Sequence, residues 1–343
     1  MSEDRVSDAY VFRLLTNKDW GALDELIDAG QFQPNREVVI QMLTEKHTLL
    51  LLPYVLGLAP NLTVKKLLDK GANPNQRYEG KTPILIAAQG RNHEALEMLL
   101  NAGADLEATA SYTEDAGGET ALLLAAEQLD PWAVERLLKA GADPAKFTKN
   151  RRRTAVWFVC RGDHPKRFEE RCCLLRKLVN AGCRLLGPEL HWPVCHRDVE
   201  LTGLLLELGC PVDEPAAKGE FGGLKKGDTP LTLAVENSIL DMVHTVTEQK
   251  ETFPKKKAEI IDRLLKAKTN SNVPNGTGQT PLLLSVVAND LATARKLLEA
   301  GADPALCPPN CKMGSAMGLA MKQELKDFIV LFGETSLNGR RKC

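Results

Sequence analysis

Aromatic residues are scarce in this chain, with 9 Phe, 4 Tyr and 4 Trp among 343 residues. The base-stacking array that holds single-stranded nucleic acid is therefore missing. Neither sign of charge dominates, with 44 Lys and Arg against 45 Asp and Glu. That balance disfavours a general nucleic-acid binder or a membrane-surface protein. Long apolar runs are lacking: the longest, residues 49–58, is broken by Pro53, so no membrane span is expected. The polar start MSEDRVSDAY does not read as a signal peptide. Nine cysteines at irregular spacings, in a chain long enough to build its own core, fit reduced thiols in the cytoplasm or nucleus better than a disulfide framework.

Reactive motifs are missing as well. The chain has no G-x-x-x-x-G-K-[ST], no G-x-G-x-x-G after a strand, no H-E-x-x-H and no G-x-S-x-G. The glycines and lysines of residues 219–227 lack the strand and helix that would cradle a phosphate, and read as a flexible turn. Cys160, His164, Cys172, Cys173, Cys183, His191, Cys195, His196 and Cys210 are zinc-ligand types gathered in one region. None forms a C-x-x-C pair, and cysteine is also a common small core residue. Cys307 and Cys311 bracket a turn. The expectation is no catalytic residue, no cofactor, no metal and no small-molecule substrate, with a zinc-dependent protein as the distant alternative.

What the chain does have is a repeated unit. Residues 80–108 read GKTPILIAAQGRNHEALEMLLNAGADLEA. Thr82 suits a helix N-cap and Pro83 the first helical position. Residues 84–88 give a short apolar helix, and 89–92 a polar break. Ala95, Leu96, Met98, Leu99 and Leu100 give a second helix with an apolar stripe. Gly103 follows where a left-handed cap wants glycine. The leucine pair and glycine recur from Leu26 and Gly30 to Leu297 and Gly301, with Lys268 in the glycine place once. Thr82, Thr120 and Thr280 each stand 17 positions before Leu99, Leu137 and Leu297. Neither helix is long enough to be stable alone in water, so neighbouring units must cover each other.

These marks resemble the ankyrin repeat, with its T-P-L-H-x-A start, two helices and a turn. The matching text is TPILIAA, TALLLAA, TPLTLAV and TPLLLSV, with GANPN, GADLEA and GADP tails. The resemblance implies an all-α helical-repeat solenoid of about nine units, helix pairs joined by hairpin-like turns. Its histidine place holds Leu85, Leu123, Trp157, Thr232 and Leu283, so the family's Thr–His hydrogen bond should be lost. The expected organisation is an N-terminal capping unit at 1–35 and a divergent unit at 36–80. Regular units follow at 81–147, divergent units with insertions at 148–275, a regular unit at 276–310, and a C-terminal cap and tail at 311–343. The two caps are expected to be polar on their outer sides. Register is unassignable at 31–60, where Val38, Val39, Met42 and Leu43 suggest an extra helix, and at 188–213, where only a second helix and its glycine survive. Trp157, Phe158 and Trp192 read as core.

The resemblance also implies where a partner would sit: on the hairpin tips before Thr-Pro, and just after the first helix, along a concave face. By register the tip positions are Tyr78, Glu79, Lys81, Asn150, Arg151, Arg153, Lys225 and Lys226, with Tyr112 in a lengthened turn. The helix positions are Gln89, Glu127, Arg161, Glu236 and Asn237, and Cys195 and His196 join them if the degenerate register holds. Lys146, Lys149, Arg151, Arg152, Arg153 and Arg161 form a basic stretch with no intervening acid, suited to an acidic protein or peptide segment. Lys255, Lys256 and Lys257 after Pro254 read as a charged insertion, or as a weak nuclear localisation signal. Asn75 and Asn272 stand where ankyrin-like proteins can be hydroxylated. The expected function is a monomeric, non-catalytic scaffold or adaptor, cytoplasmic and also nuclear if that signal operates. The alternative is a substrate-recruiting subunit of a ubiquitin ligase.

Overall fold

A computed structural model describes residues 6–42, 45–110, 118–148, 153–161, 168–217, 224, 226–236 and 252–340. The chain divides into two compact units, Met1–Val159 with Cys173–Arg184, and Cys160–Cys172 with Leu185–Cys343.

The first unit opens with α1 (Asp8–Asn17) and α2 (Trp20–Asp28), then β1 (Glu37–Met42) and β2 (Glu45–Leu50). It continues with α3 (Leu51–Val55), α4 (Asn61–Asp69), α5 (Pro83–Gln89) and α6 (His93–Asn101), then α7 (Ala121–Glu127) and α8 (Pro131–Lys139). Short α9 (Ala155–Cys160) and long α10 (Phe168–Asn180) are each shared across the division. The second unit holds α11 (His191–Cys195), α12 (Val199–Glu207), α13 (Pro230–Val235) and α14 (Thr252–Lys266). It ends with α15 (Pro281–Val287), α16 (Leu291–Glu299), α17 (Ala316–Lys322) and α18 (Lys326–Arg340).

First helices pack on first helices, α3 on α5 on α7 in one unit and α11, α13, α15, α17 in the other. Second helices do the same, α2, α4, α6, α8 and α12, α14, α16, α18. Each pair of layers encloses leucine and alanine, among them Leu85, Leu96, Leu99 and Leu123 in the first unit and Leu231, Leu264, Leu283 and Leu297 in the second. The fold is thus the all-α repeat solenoid, with hairpin-like turns, that the sequence marks imply. Trp157 and Phe158 are core, packed edge to face at 5.2 Å.

Four expectations are corrected. Residues 38–42 do not form an extra helix, Leu43 lying outside the described residues: β1 and β2 pair antiparallel, Val38 opposite Leu49. Val38 and Leu49 are buried while Val39 and Thr48 face out, the period-two alternation of a strand, and the β-branched run Val38-Val39-Ile40 favours it. This hairpin is the second repeat's turn drawn out into a finger, and α3, with Leu50 at its N-cap, is that repeat's first helix. The sixth repeat does keep a first helix, because a 3-10 turn at Pro188–Leu190 runs into α11. Its Trp192 is only half-buried and stacks on His196, with ring centroids 3.7 Å apart. The C-terminal cap is not polar outside: Met321, Ile329 and Val330 are exposed.

The junction between the two helices of a repeat follows one rule. A residue with positive φ precedes the second helix at Lys18, Arg91, Leu129, Arg197, Asn289 and Glu324. In five of these junctions an Asp or Asn follows, and the side chains of Asp19, Asn92, Asp130, Asp198 and Asp290 each accept an amide of the first turn. At the far end of the second helix the left-handed position is glycine in seven repeats, while Lys268 takes it with φ 63°. Tips are cross-linked by asparagine: Asn75 donates to the Gly103 carbonyl at 3.4 Å and accepts from the Asp105 amide at 2.7 Å. Asn272 does the same with Gly301 and Asp303, at 3.0 and 2.8 Å.

Loss of the motif histidine has a visible result. The hydroxyls of Thr154, Thr229 and Thr280 cap their own first helices. The Thr82 hydroxyl is buried with no hydrogen-bond partner beside Leu85. A buried hydroxyl of this kind contributes nothing that a methyl does not. Thr82→Val should therefore leave stability unchanged or raise it by up to ~1 kcal/mol, whereas Thr229→Val should cost about 0.5–2 kcal/mol through loss of a cap. Urea unfolding of the two variants distinguishes them. In the same assay Leu99→Ala should cost about 2–5 kcal/mol. Leu62→Ala, at a side chain 57% exposed, should change stability by less than about 0.5 kcal/mol.

Candidate functional site

In the first unit the third repeat's tip is built by four residues. Tyr78 and Lys81 exchange backbone hydrogen bonds of 2.9 and 3.0 Å, and between them Glu79 and Gly80 both have positive φ. That is the type I′ geometry whose twist suits a hairpin. The tip is tied back to the first helix of its own repeat: the Lys81 ammonium donates to the Gln89 side-chain oxygen at 2.6 Å. Tyr78 packs edge-on against Tyr54 of α3, with centroids 6.3 Å apart. Burial first, then the Glu79 carboxylate, pushes the Tyr78 phenol up to about 12, so it remains a neutral donor at physiological pH. Glu127 stands exposed in α7 at the register of Gln89.

The fifth repeat's tip closes through Thr148 and Arg153, with Phe147 bridged to Thr154. The Arg153 guanidinium lies 4.2 Å from the Trp157 ring centroid, a cation–π contact. Lys146 lies 3.7 Å from Glu107. Two described members of the basic stretch thus have partners within the first unit. Tyr112, Asn150 and Arg151, like Lys149 and Arg152, lie outside the described residues.

In the second unit Arg161 and Lys226 are exposed and Glu236 is half-buried. Lys226 precedes a close approach of two tips: a side chain at Gly276 would meet the Lys226 carbonyl, and one at Gly227 would meet Gly276 itself. Cys195 ends α11 and His196 is its C-cap, next to Trp192. Lys225 and Asn237 lie outside the described residues. Among the described residues no group of three or more His, Cys, Asp or Glu is arranged to hold a metal ion. The His191 Nε2 donates to the Glu214 carbonyl, 3.0 Å away, and the His196 Nδ1 donates to the Trp192 carbonyl at 2.9 Å. His164 lies outside the described residues. No described helix is long and apolar enough to cross a membrane.

The second-helix side carries charge of a different kind, consumed between neighbours. Lys66 pairs with Asp28 at 2.6 Å, Arg136 with Glu97, Lys177 with Glu135 at 2.7 Å and, in the second unit, Lys296 with Asp262 at 2.7 Å. Tyr54 and Arg197 escaped the sequence reading, and Trp192 was read as core. Tyr54 and Trp192 sit in degenerate first helices without a Thr-Pro mark, and nothing in the sequence singles out Arg197.

The comparisons agree with this architecture. Residues 58–148 match the model of the ankyrin-repeat family in three copies, and these repeats are ankyrin repeats. A stretch of 79 residues is 37% identical to human Protein fem-1 homolog A, covering 22% of this chain. The rat protein of that name is 35% identical over 79 residues. The match spans only 12% of the length of these curated relatives. The crystal structure of the human ASB11 ankyrin repeat domain superposes with a TM-score of 0.51 at 20% identity, covering 74% of this chain and 99% of that one, which shows a shared fold.

Hydrogen bonds from the Lys139 and Lys177 ammonium groups hold the Glu135 carboxyl down to about 2, from an ordinary 4.5. A depressed carboxyl contributes stability above its unfolded value and loses it as pH falls through the folded one. Glu135→Gln should therefore lower the thermal midpoint at pH 6, and the difference should close between about pH 4.5 and about pH 2. Thermal melts across that range, at low salt because the pair is exposed, provide the check.

Proposed function

We propose that this chain is a non-catalytic protein-binding module whose partner docks on the tips and first helices of the repeats. Ankyrin repeats form protein–protein interaction domains, and the observation that carries the finer reading is the Lys81–Gln89 hydrogen bond. It fixes a tip against a first helix, so that the two sets of contact positions become one preorganised surface. Rigid side chains bind at lower entropic cost than mobile ones. Tyr54 and Tyr78 beside that bond offer aromatic area with polar ends, the residue type favoured at binding hot spots. Lys66, Arg136, Lys177 and Lys296 on the second-helix side are committed to neighbouring repeats, which favours the first-helix side as the recognition face. Exposed Arg161 and Lys226 favour acidic groups on the partner.

An adaptor in the cytoplasm is the role this chemistry suits. A substrate-recruiting subunit of a ubiquitin ligase is a special case of the same binding, and co-purification with a ligase would identify it. Gln89→Glu combined with Lys226→Glu places carboxylates at one exposed first-helix exit and one exposed tip, where they repel an acidic partner. Affinity capture followed by mass spectrometry should show partner recovery reduced at least tenfold with an unchanged melting curve. Equal recovery by the variant and by the natural chain would remove this face from consideration.

A further inference from the structure

In regular repeats the last carbonyls of the first helix are satisfied by the turn that follows. In α5, Ala88 accepts from the Arg91 amide at 3.3 Å and Ala87 from the Asn92 amide at 3.0 Å. In α7, Ala126 and Ala125 accept from Leu129 and Asp130, both at 3.1 Å. In α15, Val286 and Ser285 accept from Asn289 and Asp290 at 3.1 and 2.9 Å. The donors are always the residue with positive φ and the N-cap after it.

The seventh repeat departs from this. Helix α13 is one residue shorter than α5, and the chain leaves it at Glu236 in an extended conformation, φ −62° and ψ 132°. The described second helix is Thr252–Lys266, and within it Lys257 occupies the place that Asp130 and Asp290 hold elsewhere, seven positions before the leucine pair. Yet the end of α13 is hydrogen-bonded. The Arg197 guanidinium, 1% exposed, donates to the carbonyl of Ala234, the counterpart of Ala87, at 3.1 Å. It also donates to Leu233 at 3.4 Å and Glu236 at 3.2 Å. Arg197 is itself the positive-φ residue of the sixth repeat's junction, with φ 54°, so its side chain is sent toward the next repeat from a fixed backbone. Arg91 at the same register likewise reaches forward, to Asp130 at 3.6 Å.

We propose that Arg197 is a substitute helix cap. It supplies, from the preceding repeat, the donors that a regular junction gives to a first helix, and so permits the long insertion between α13 and α14. Arginine suits the task because its planar fork reaches several acceptors at once. Its positive charge also faces a helix C-terminus, where the peptide dipoles present their negative end.

The test is a cycle in the full chain. One change is Arg197→Leu, leucine being the residue at this register in the fourth repeat. The other replaces residues 237–257 with the Gln128-Leu129-Asp130 junction. Hydrogen exchange at the Leu233 and Glu236 amides reports α13, and the Leu124 amide in the first unit is the control. With the natural insertion, Arg197→Leu should lower protection of α13 at least tenfold and leave Leu124 unchanged. With the regular junction in place the same change should cost less than threefold. If Arg197→Leu does not fold in the natural chain, recovery of folding by the junction supports the proposal and failure to recover overturns it. Equal losses in both backgrounds, no loss with the insertion present, or a junction chain that cannot fold with Arg197 intact would each overturn it.

Discussion

No repeat in this protein can cover its own apolar face. First helices of mostly five to seven residues and second helices of mostly nine are too short to persist alone in water, and each encloses its leucines only against the next pair. Contact between neighbouring repeats is therefore the condition of folding, and the polar groups follow from it. The asparagine bridges at the tips, the N-cap carboxylates at the junctions and the ion pairs along the second helices all run from one repeat to the next or fix the turn that orients it. The buried leucine layers supply the driving force. The polar links set the spacing and rotation at which those layers meet, and they tolerate only their own registers.

That arrangement explains where the chain accepts extra residues. The two lengthened tips are closed at the base by backbone bridges, Ala110 with Gly118 and Glu119 and Ala216 with Gly227 and Asp228. Lengthening the loop beyond such a base disturbs no helix end, and the β1–β2 finger is the extended version of the same solution. The junction between two helices is different, because its amides complete the first helix. An insertion there opens the helix end unless another donor is at hand. The seventh repeat has such a donor in Arg197, and the guanidinium's burial is tolerable because it donates to four backbone carbonyls, those of Val194, Leu233, Ala234 and Glu236.

The regular repeats were legible because their marks are local. Thr-Pro, the leucine pair and the glycine each answer to a single backbone requirement, and the fixed separation of Thr82 from Leu99 repeats it. Lys268 was legible for the same reason, since position alone identified it as standing in a left-handed site. The finger at residues 37–50 was misread because Val38, Val39 and Met42 satisfy a helical stripe as well as a strand, and only pairing with Leu49 decides between them. Trp192 was assigned to the core on residue type, although a short helix preceded by a 3-10 turn leaves its ring half-exposed against His196. The candidate contact positions Tyr78, Lys81 and Gln89 were placed by register, but nothing in the sequence shows that Lys81 reaches Gln89.

The polar links also decide which side of the repeats remains available for recognition. A charged group already paired to the neighbouring repeat must give up that pair before it can bind a partner, so the second-helix side offers charges at a cost. Two contacts at the tips are of a different kind: Lys81 pairs with Gln89 inside one repeat, and Arg153 lies over Trp157 of its own repeat. Such contacts stiffen a side chain without joining repeats, so their rearrangement on binding leaves the stacking intact. A surface that can change its contacts without loosening its neighbours is free to vary from repeat to repeat. The variety of Gln89, Glu127, Arg161, Cys195, Glu236 and Val287 at one register, beside leucines and alanines that barely change, is what that freedom produces.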